Sequence, residues 1–137
     1  MKSMLLMRVL ALGLTLTTFA AEAQTWPSKP LRAIVPIAPG SMADIAARVV
    51  FEQVSTPLGQ PVIVENRPGA GQTIGASVVA KSEPDGYTLL VNSSAHTIAP
   101  SLHLNLNYHP ARDFAAVIPL YKGLGNGGAC ESGAMNG

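Results

Sequence analysis

The sequence predicts an α/β fold, a partial doubly wound parallel sheet. Three observations carry that prediction. Short runs rich in branched residues recur at Leu31–Ile37, Val62–Asn66 and Tyr87–Val91. A stretch of helical period follows each of the first two, and Pro and Gly clusters punctuate the joints. Strand, helix, strand, helix, strand at this spacing calls for right-handed crossovers between parallel strands. Ligands of such sheets bind beyond the carboxyl ends of the strands, which directs attention to Ala38–Asp44 and Asn92–Ile98.

The first 23 residues read as a signal peptide. Lys2 and Arg8 supply a basic start, Val9–Ala20 an apolar stretch, and Ala21-Glu22-Ala23 a small-x-small cleavage site before Gln24. The apolar stretch is shorter than the ~20 residues that span a bilayer, so a soluble exported chain is expected. Residues 24–137 suit one small domain, since domains typically hold roughly 100–150 residues. Without Lys2, Arg8 and Glu22 the basic and acidic side chains balance. That balance leaves no basic footprint for nucleic acid or an anionic membrane. The single cysteine, Cys130, cannot form an internal disulfide.

Leu31–Ile37, bounded by prolines, reads as a buried strand. Met42–Leu58 places Ile45, Val49, Val50, Val54 and Leu58 at helical spacing opposite Arg48, Glu52 and Gln53, and Pro57 and Gly59 close it. Val62–Asn66 is a second strand, followed by the loop Arg67–Gln72 and a short helix over Thr73–Ser82. Pro84-Asp85-Gly86 supplies a turn into the third strand, Tyr87–Val91. A fourth strand is expected over Ala115–Leu120. Beyond it the composition changes: Tyr121–Gly137 holds six glycines, no Val or Ile and one Leu. Such a segment buries little apolar surface and is expected to lack regular structure.

Ser41-Met42-Ala43-Asp44 has the capping-box form, in which Ser41 accepts from an early helix amide and Asp44 reaches back to the Ser41 amide. The same residues can serve an anion. Gly40 lets backbone approach a ligand, and the amides of Ser41, Met42 and Ala43 lie at the positive end of a helix. These uses compete, because an amide satisfied by a cap cannot also hold a ligand. Asn92-Ser93-Ser94-Ala95-His96 follows the third strand and reads either as ligand contact or as an ordinary polar turn. His96, His103 and His109 lack the compact spacing of a zinc site, so no metal is expected. Gly69-Ala70-Gly71-Gln72-Thr73-Ile74-Gly75 is a near miss of the dinucleotide fingerprint and fits better as a tight loop allowing close strand-to-helix packing. There is no G-x-S-x-G elbow, and no Ser/His/Asp set is positioned for nucleophilic catalysis. Neither catalytic residues nor a cofactor are expected.

Several ordered motifs resemble one family. Trp26-Pro27-Ser28-Lys29-Pro30, Ile34–Gly40, Asp44–Arg48, Leu58–Val62, Glu65–Gly71 and Pro84–Leu90 are similar to the amino-terminal third of the substrate-binding proteins of tripartite tricarboxylate transporters, the Bug family. The resemblance covers Gln24–Leu120 and implies the first lobe of a type II periplasmic binding protein. It also implies a periplasmic location, a small organic carboxylate as ligand, and membrane permease subunits as partners. Carried over by motif, the ligand-binding residues would be Pro39, Gly40, Ser41, Met42, Asp44, Ser93, Ser94 and His96. Ser41 stands where the family usually has a second glycine, which narrows the approach or adds a hydroxyl donor. Family members run to about twice this length or more, consistent with two domains at roughly 100–200 residues each. Tyr121-Lys122-Gly123-Leu124-Gly125 resembles a later family loop. An internal deletion followed by a shifted reading frame would account for this junction and the Gly-rich end. The alternatives to a working receptor are an inactive remnant and an exported fragment that serves as an interaction or sensory partner.

Overall fold

Leu31–Val35 (β1) is buried at every position except Arg32, so both of its faces are covered and it lies inside a sheet. It pairs in parallel with Val62–Asn66 (β2) on one side and with Thr88–Asn92 (β3) on the other. Leu31 stands opposite Val62, and Arg32 opposite Thr88. The strand stops at Val35 rather than Ile37 because Pro36 has no amide hydrogen for the ladder. The computed structural model describes residues 25–121 and 128–133. The expected signal peptide lies outside these residues, as do positions 122–127 and 134–137 of the Gly-rich segment.

Two further strands widen the sheet. Phe114–Tyr121 (β4) forms its edge, and Gly128–Gly133 (β5) lies antiparallel between β3 and β4, giving the order β2-β1-β3-β5-β4. Composition alone predicts no regular structure for residues 128–133. The correction has a simple cause: a strand is held by backbone amides and carbonyls, which small residues supply as well as large ones. The sheet is therefore mixed, parallel across β2, β1 and β3 and antiparallel at β5.

Alternation along the central strands sends side chains to both faces. Ala33, Val35 and Val91 meet Ala47 and Phe51 of Met42–Leu58 (α1). Ile34 and Leu90 meet Ala76 and Val79 of Thr73–Ala80 (α2), together with Tyr108 and Phe114. The buried face of α1 is not the one its large apolar residues predict. Ala43, Asp44, Ala47 and Phe51 turn inward, while Ile45 and Val49 stay more than half exposed. Small side chains at Ala43 and Ala47 let the helix sit close to the sheet, and polar contacts draw Asp44 in.

A third helix, Ser94–Leu102 (α3), occupies much of the segment expected to be a polar loop. Its two serines mark a helix start: Ser93 is the N-cap, and its hydroxyl accepts from the Ala95 amide. Pro100 within the helix weakens the periodic signal that would otherwise reveal it.

Candidate functional site

The chain leaves β1 for β2 on one side and returns to β3 on the other, so the sheet's switch point falls between β1 and β3. A crevice beyond the carboxyl ends of strands opens at such a point. Here it is flanked by the β1–α1 turn, the β3–α3 turn and the β2–α2 loop, and two helices begin beside it.

The β1–α1 turn is built around Gly40 at φ +80, a left-handed conformation that glycine adopts without a Cβ penalty. A Cβ there would meet nothing within 4 Å, so the turn faces open space. Pro39 and Gly40 are exposed, Ser41 is half-buried, and Met42 is 71% exposed. Ser41 caps α1, its hydroxyl accepting from the Asp44 amide at 3.3 Å. Contrary to expectation, the Asp44 carboxylate accepts from the amide of Gly40, at 2.9 Å, one residue before the capping-box position. The Ser41 amide donates to the Ala38 carbonyl at 3.3 Å. Cap and anion readings therefore divide the amides between them. Gly40, Ser41 and Asp44 serve the turn, while helix geometry leaves the first-turn amides of Met42 and Ala43 without an intrahelical acceptor.

Asp44 is a keystone of this turn. It is 3% exposed and also receives Arg48 Nε at 3.1 Å on each oxygen and Asn66 Nδ2 at 2.9 Å. Asn66, at the carboxyl end of β2, donates from the same nitrogen to the Ile37 carbonyl at 3.1 Å and accepts from Arg48 Nη2 at 2.9 Å. One carboxylate thus ties the turn after β1, the first turns of α1 and the end of β2. The hydrogen bond from Arg48, then those from Gly40 and Asn66, hold its pKa at about 2 against a usual 3.8, burial opposing them.

A folded-state pKa below the unfolded value means that Asp44 stabilises fully above pH 3.8 and loses that contribution as pH falls through about 2. Glu65 shares this direction through Arg32, burial opposing and Arg67 adding to the effect. The expected result is a melting temperature that declines below pH 4, with Asp44→Asn showing a shallower decline than the wild type. Parallel acid titrations of the two proteins check it, and equal slopes would refute the assignment to Asp44.

The β3–α3 turn is joined to the β2–α2 loop by side chains. Ser93 Oγ donates to Gln72 Oε1 at 3.0 Å. Gln72 and Ala70 both adopt positive φ, at 76° and 44°, an uncommon state for residues with a Cβ that surrounding structure has to hold in place. Gly75 explains how this loop comes so near β1: a Cβ on it would lie 2.6 Å from Pro36 Cβ. The glycine cluster is thus the close-packing device the sequence suggests.

Ser94 opens α3 and is half-buried. His96 is 5% exposed and packed into an aromatic cluster, its ring parallel to Tyr108 at 5.8 Å and edge-on to Phe114 at 4.8 Å. Its amide donates to the Ser93 carbonyl at 3.0 Å. Its side chain is thus held on the core side of α3. His103 ends α3 against the turn at Gly71, and His109 accepts from the Ala111 amide. Arg48, Asn66 and Gln72 escaped the sequence reading as site residues. The Asp44/Arg48 spacing on one helix was the available signal for the first; the other two become visible only when the strands are paired.

The arrangement offers amide and hydroxyl donors beside two helix amino ends. The Ser41 and Ser93 hydroxyls are engaged with a helix amide and with Gln72, not with an imidazole. It suits holding an anion rather than activating a nucleophile.

Comparison with known proteins bears on the family and the fold. A family model described as "Tripartite tricarboxylate transporter family receptor" matches residues 46–124. A UPF0065 protein of Bordetella bronchiseptica is 48% identical over 108 residues, covering 78% of this chain and 32% of the relative. The periplasmic binding protein BugD is 40% identical with a TM-score of 0.65, over 67% of this chain and 31% of that one. MatC from Rhodopseudomonas palustris with bound malate is 38% identical with a TM-score of 0.66, over 69% of this chain and 33% of that one. The chain spans about a third of the length of the curated relatives it matches.

Proposed function

The chain belongs to the tripartite tricarboxylate transporter receptor family, and from that premise we propose that it carries one wall of a periplasmic carboxylate-binding site serving a membrane permease. The observation that carries the reading is that two helices, α1 and α3, begin just beyond the neighbouring strands β1 and β3, with the Met42 and Ala43 amides left over by the cap. Pro39 and Gly40 shape the approach, Ser41, Ser93 and Ser94 border it, and Asp44 and His96 hold it from behind. A dicarboxylate of the malate type suits this wall, as malate is the ligand bound to MatC. A carboxylate held on one side stays in contact with water, so the affinity of this wall alone is weak.

A Kd of about 1 mM gives, at 1 mM malate, about 0.4 kcal/mol by linkage, or about 2–3 °C of melting temperature. Met42→Pro tests which atoms are responsible. Proline is favoured at the first helical position and removes the amide hydrogen there, and the methionine side chain it replaces is 71% exposed. Ser41 already has the extended ψ of 161 that a residue before proline adopts. The variant is expected to melt like the wild type without ligand and to lose the malate shift. A chain unmoved by di- and tricarboxylates to tens of millimolar would refute autonomous binding; an undiminished shift in Met42→Pro would refute the Met42 amide as its source.

A further inference from the structure

Gln72 holds φ 76 and ψ 0 immediately before α2, yet its side chain makes no capping bond to that helix. Left-handed backbone is uncommon for a residue with a Cβ and persists where surrounding contacts hold it. Gly71, beside it, takes the same region at φ 63 without that penalty. What glutamine adds is a bond to another loop: the Ser93 hydroxyl, which itself accepts from the Ala95 amide, donates to Gln72 Oε1 at 3.0 Å. β1 lies between β2 and β3, so a bond from the loop after β2 to the turn after β3 passes over the carboxyl end of β1. The close approach of Gly75 to Pro36, the residue after β1, sets the start of α2 at the same place. α2 packs on the face of Ile34 and Leu90, whereas the Gly40–Met42 turn leads into α1 on the face of Ala33 and Val35. Bridge and turn thus border the switch-point crevice from opposite faces of the sheet.

We propose that Gln72 contacts the ligand directly, its side-chain amide nitrogen donating to an oxygen of a carboxylate seated against the Met42 amide. With Oε1 taken by Ser93, the two Nε2 hydrogens remain, and among the described residues none accepts from them. The Ser93 hydroxyl settles which end of the Gln72 amide is left for a ligand, because its lone pair serves Ala95 and its hydrogen goes to Oε1. The cations of the neighbouring elements are already engaged: Arg48 is bound to Asp44 and Asn66, and Arg67 to Glu65. The proposal rests on the carboxylate reading and deepens it. Recognition uses neutral donors from both faces of the sheet, so it depends on the direction of hydrogen bonds rather than on a facing positive charge. A strained backbone at a ligand contact is the pattern expected where one side chain has to be delivered to one place.

The test is the malate dissociation constant of the full chain, read from melting temperature against malate to tens of millimolar. Two substitutions separate ligand contact from mere bracing of the loops, because the two roles predict opposite orders. Gln72→Glu keeps an oxygen for the Ser93 hydroxyl but sets a negative charge against the ligand; Gln72→Lys removes that oxygen and supplies a charged donor. Contact predicts binding weakened roughly tenfold or more in Gln72→Glu and no weaker than the wild type in Gln72→Lys. Bracing alone predicts the reverse. Thr73→Glu puts the same charge one residue on, in a separate hollow lined by Ser77 and Asn107, and should stay within about twofold of the wild type. If Gln72→Glu does not fold, Gln72→Lys decides: binding weaker than the wild type overturns the proposal. A wild type unmoved by malate overturns the carboxylate reading and this proposal together. A wild type that binds, with Gln72→Glu its equal or with Thr73→Glu as weak as Gln72→Glu, overturns this proposal alone.

Discussion

Asp44→Ala is expected to destabilise the chain by about 2–3 kcal/mol, although Asp44 sits only in the first turn of α1. The carboxylate accepts from the Gly40 amide, from Asn66 and from Arg48, and its removal leaves the Gly40 amide without this acceptor and Asn66 with only the Ile37 carbonyl, in a half-buried place. The loss falls below the ~3–5 kcal/mol for breaking a fully buried ion pair, because Arg48 is half exposed and regains water. Asp44→Asn keeps one acceptor oxygen and should cost less, about 1–2 kcal/mol. Glu52→Ala, on the exposed side of α1, should stay within about 0.5 kcal/mol. Urea melts of the three variants at pH 7 measure the order. A loss for Asp44→Ala as small as that for Glu52→Ala would show that the network does not hold the turn.

The second large effect is expected at Gly75. Introducing alanine there raises intrinsic helix propensity by about 1 kcal/mol, yet Gly75→Ala should destabilise by about 2 kcal/mol and Gly75→Val by about 3 kcal/mol. The added Cβ would lie 2.6 Å from Pro36 Cβ and 3.0 Å from the Arg67 carbonyl oxygen. Neither obstacle is the end of a flexible chain: one is a proline ring after β1, the other is backbone. Helix α2 would have to lift away from β1, carrying with it the loop whose Gln72 accepts from Ser93. Melting temperatures should fall by several degrees per kcal/mol at this chain size. A neutral or stabilising Gly75→Ala would show that α2 can shift freely and that the approach to Pro36 positions nothing.

How much of the site was legible in the sequence follows from the range of each interaction. The Ser41 cap and the span of α1 depend on neighbours within a few residues, and Met42–Leu58 was read correctly to both ends. The role of Asp44 was half legible: its place at the third helical position was plain, whereas its choice of Gly40 over Ser41 depends on how the turn folds back. The burial of His96 was not legible because its sequence neighbours are polar, while the rings that enclose it, Tyr108 and Phe114, arrive from far along the chain. The exposed side of α1 was misread for a related reason: periodicity ranks faces by hydrophobicity, but the sheet selects the face that fits. Ala43 and Ala47 fit where Ile45 and Val49 do not.

By itself the sequence determined the strand order through β4, the helices α1 and α2, and the Ser41 cap beside Gly40. Local backbone preferences and short-range hydrogen bonds suffice for those. Only the tertiary structure decided that Asn66 and Gln72 brace the site, that Gly75 must lack a side chain because of Pro36, and that residues 128–133 insert as a strand between β3 and β4. Each of these rests on partners distant in the chain, whose meeting is set by sheet pairing and close packing rather than by any property of the residues alone.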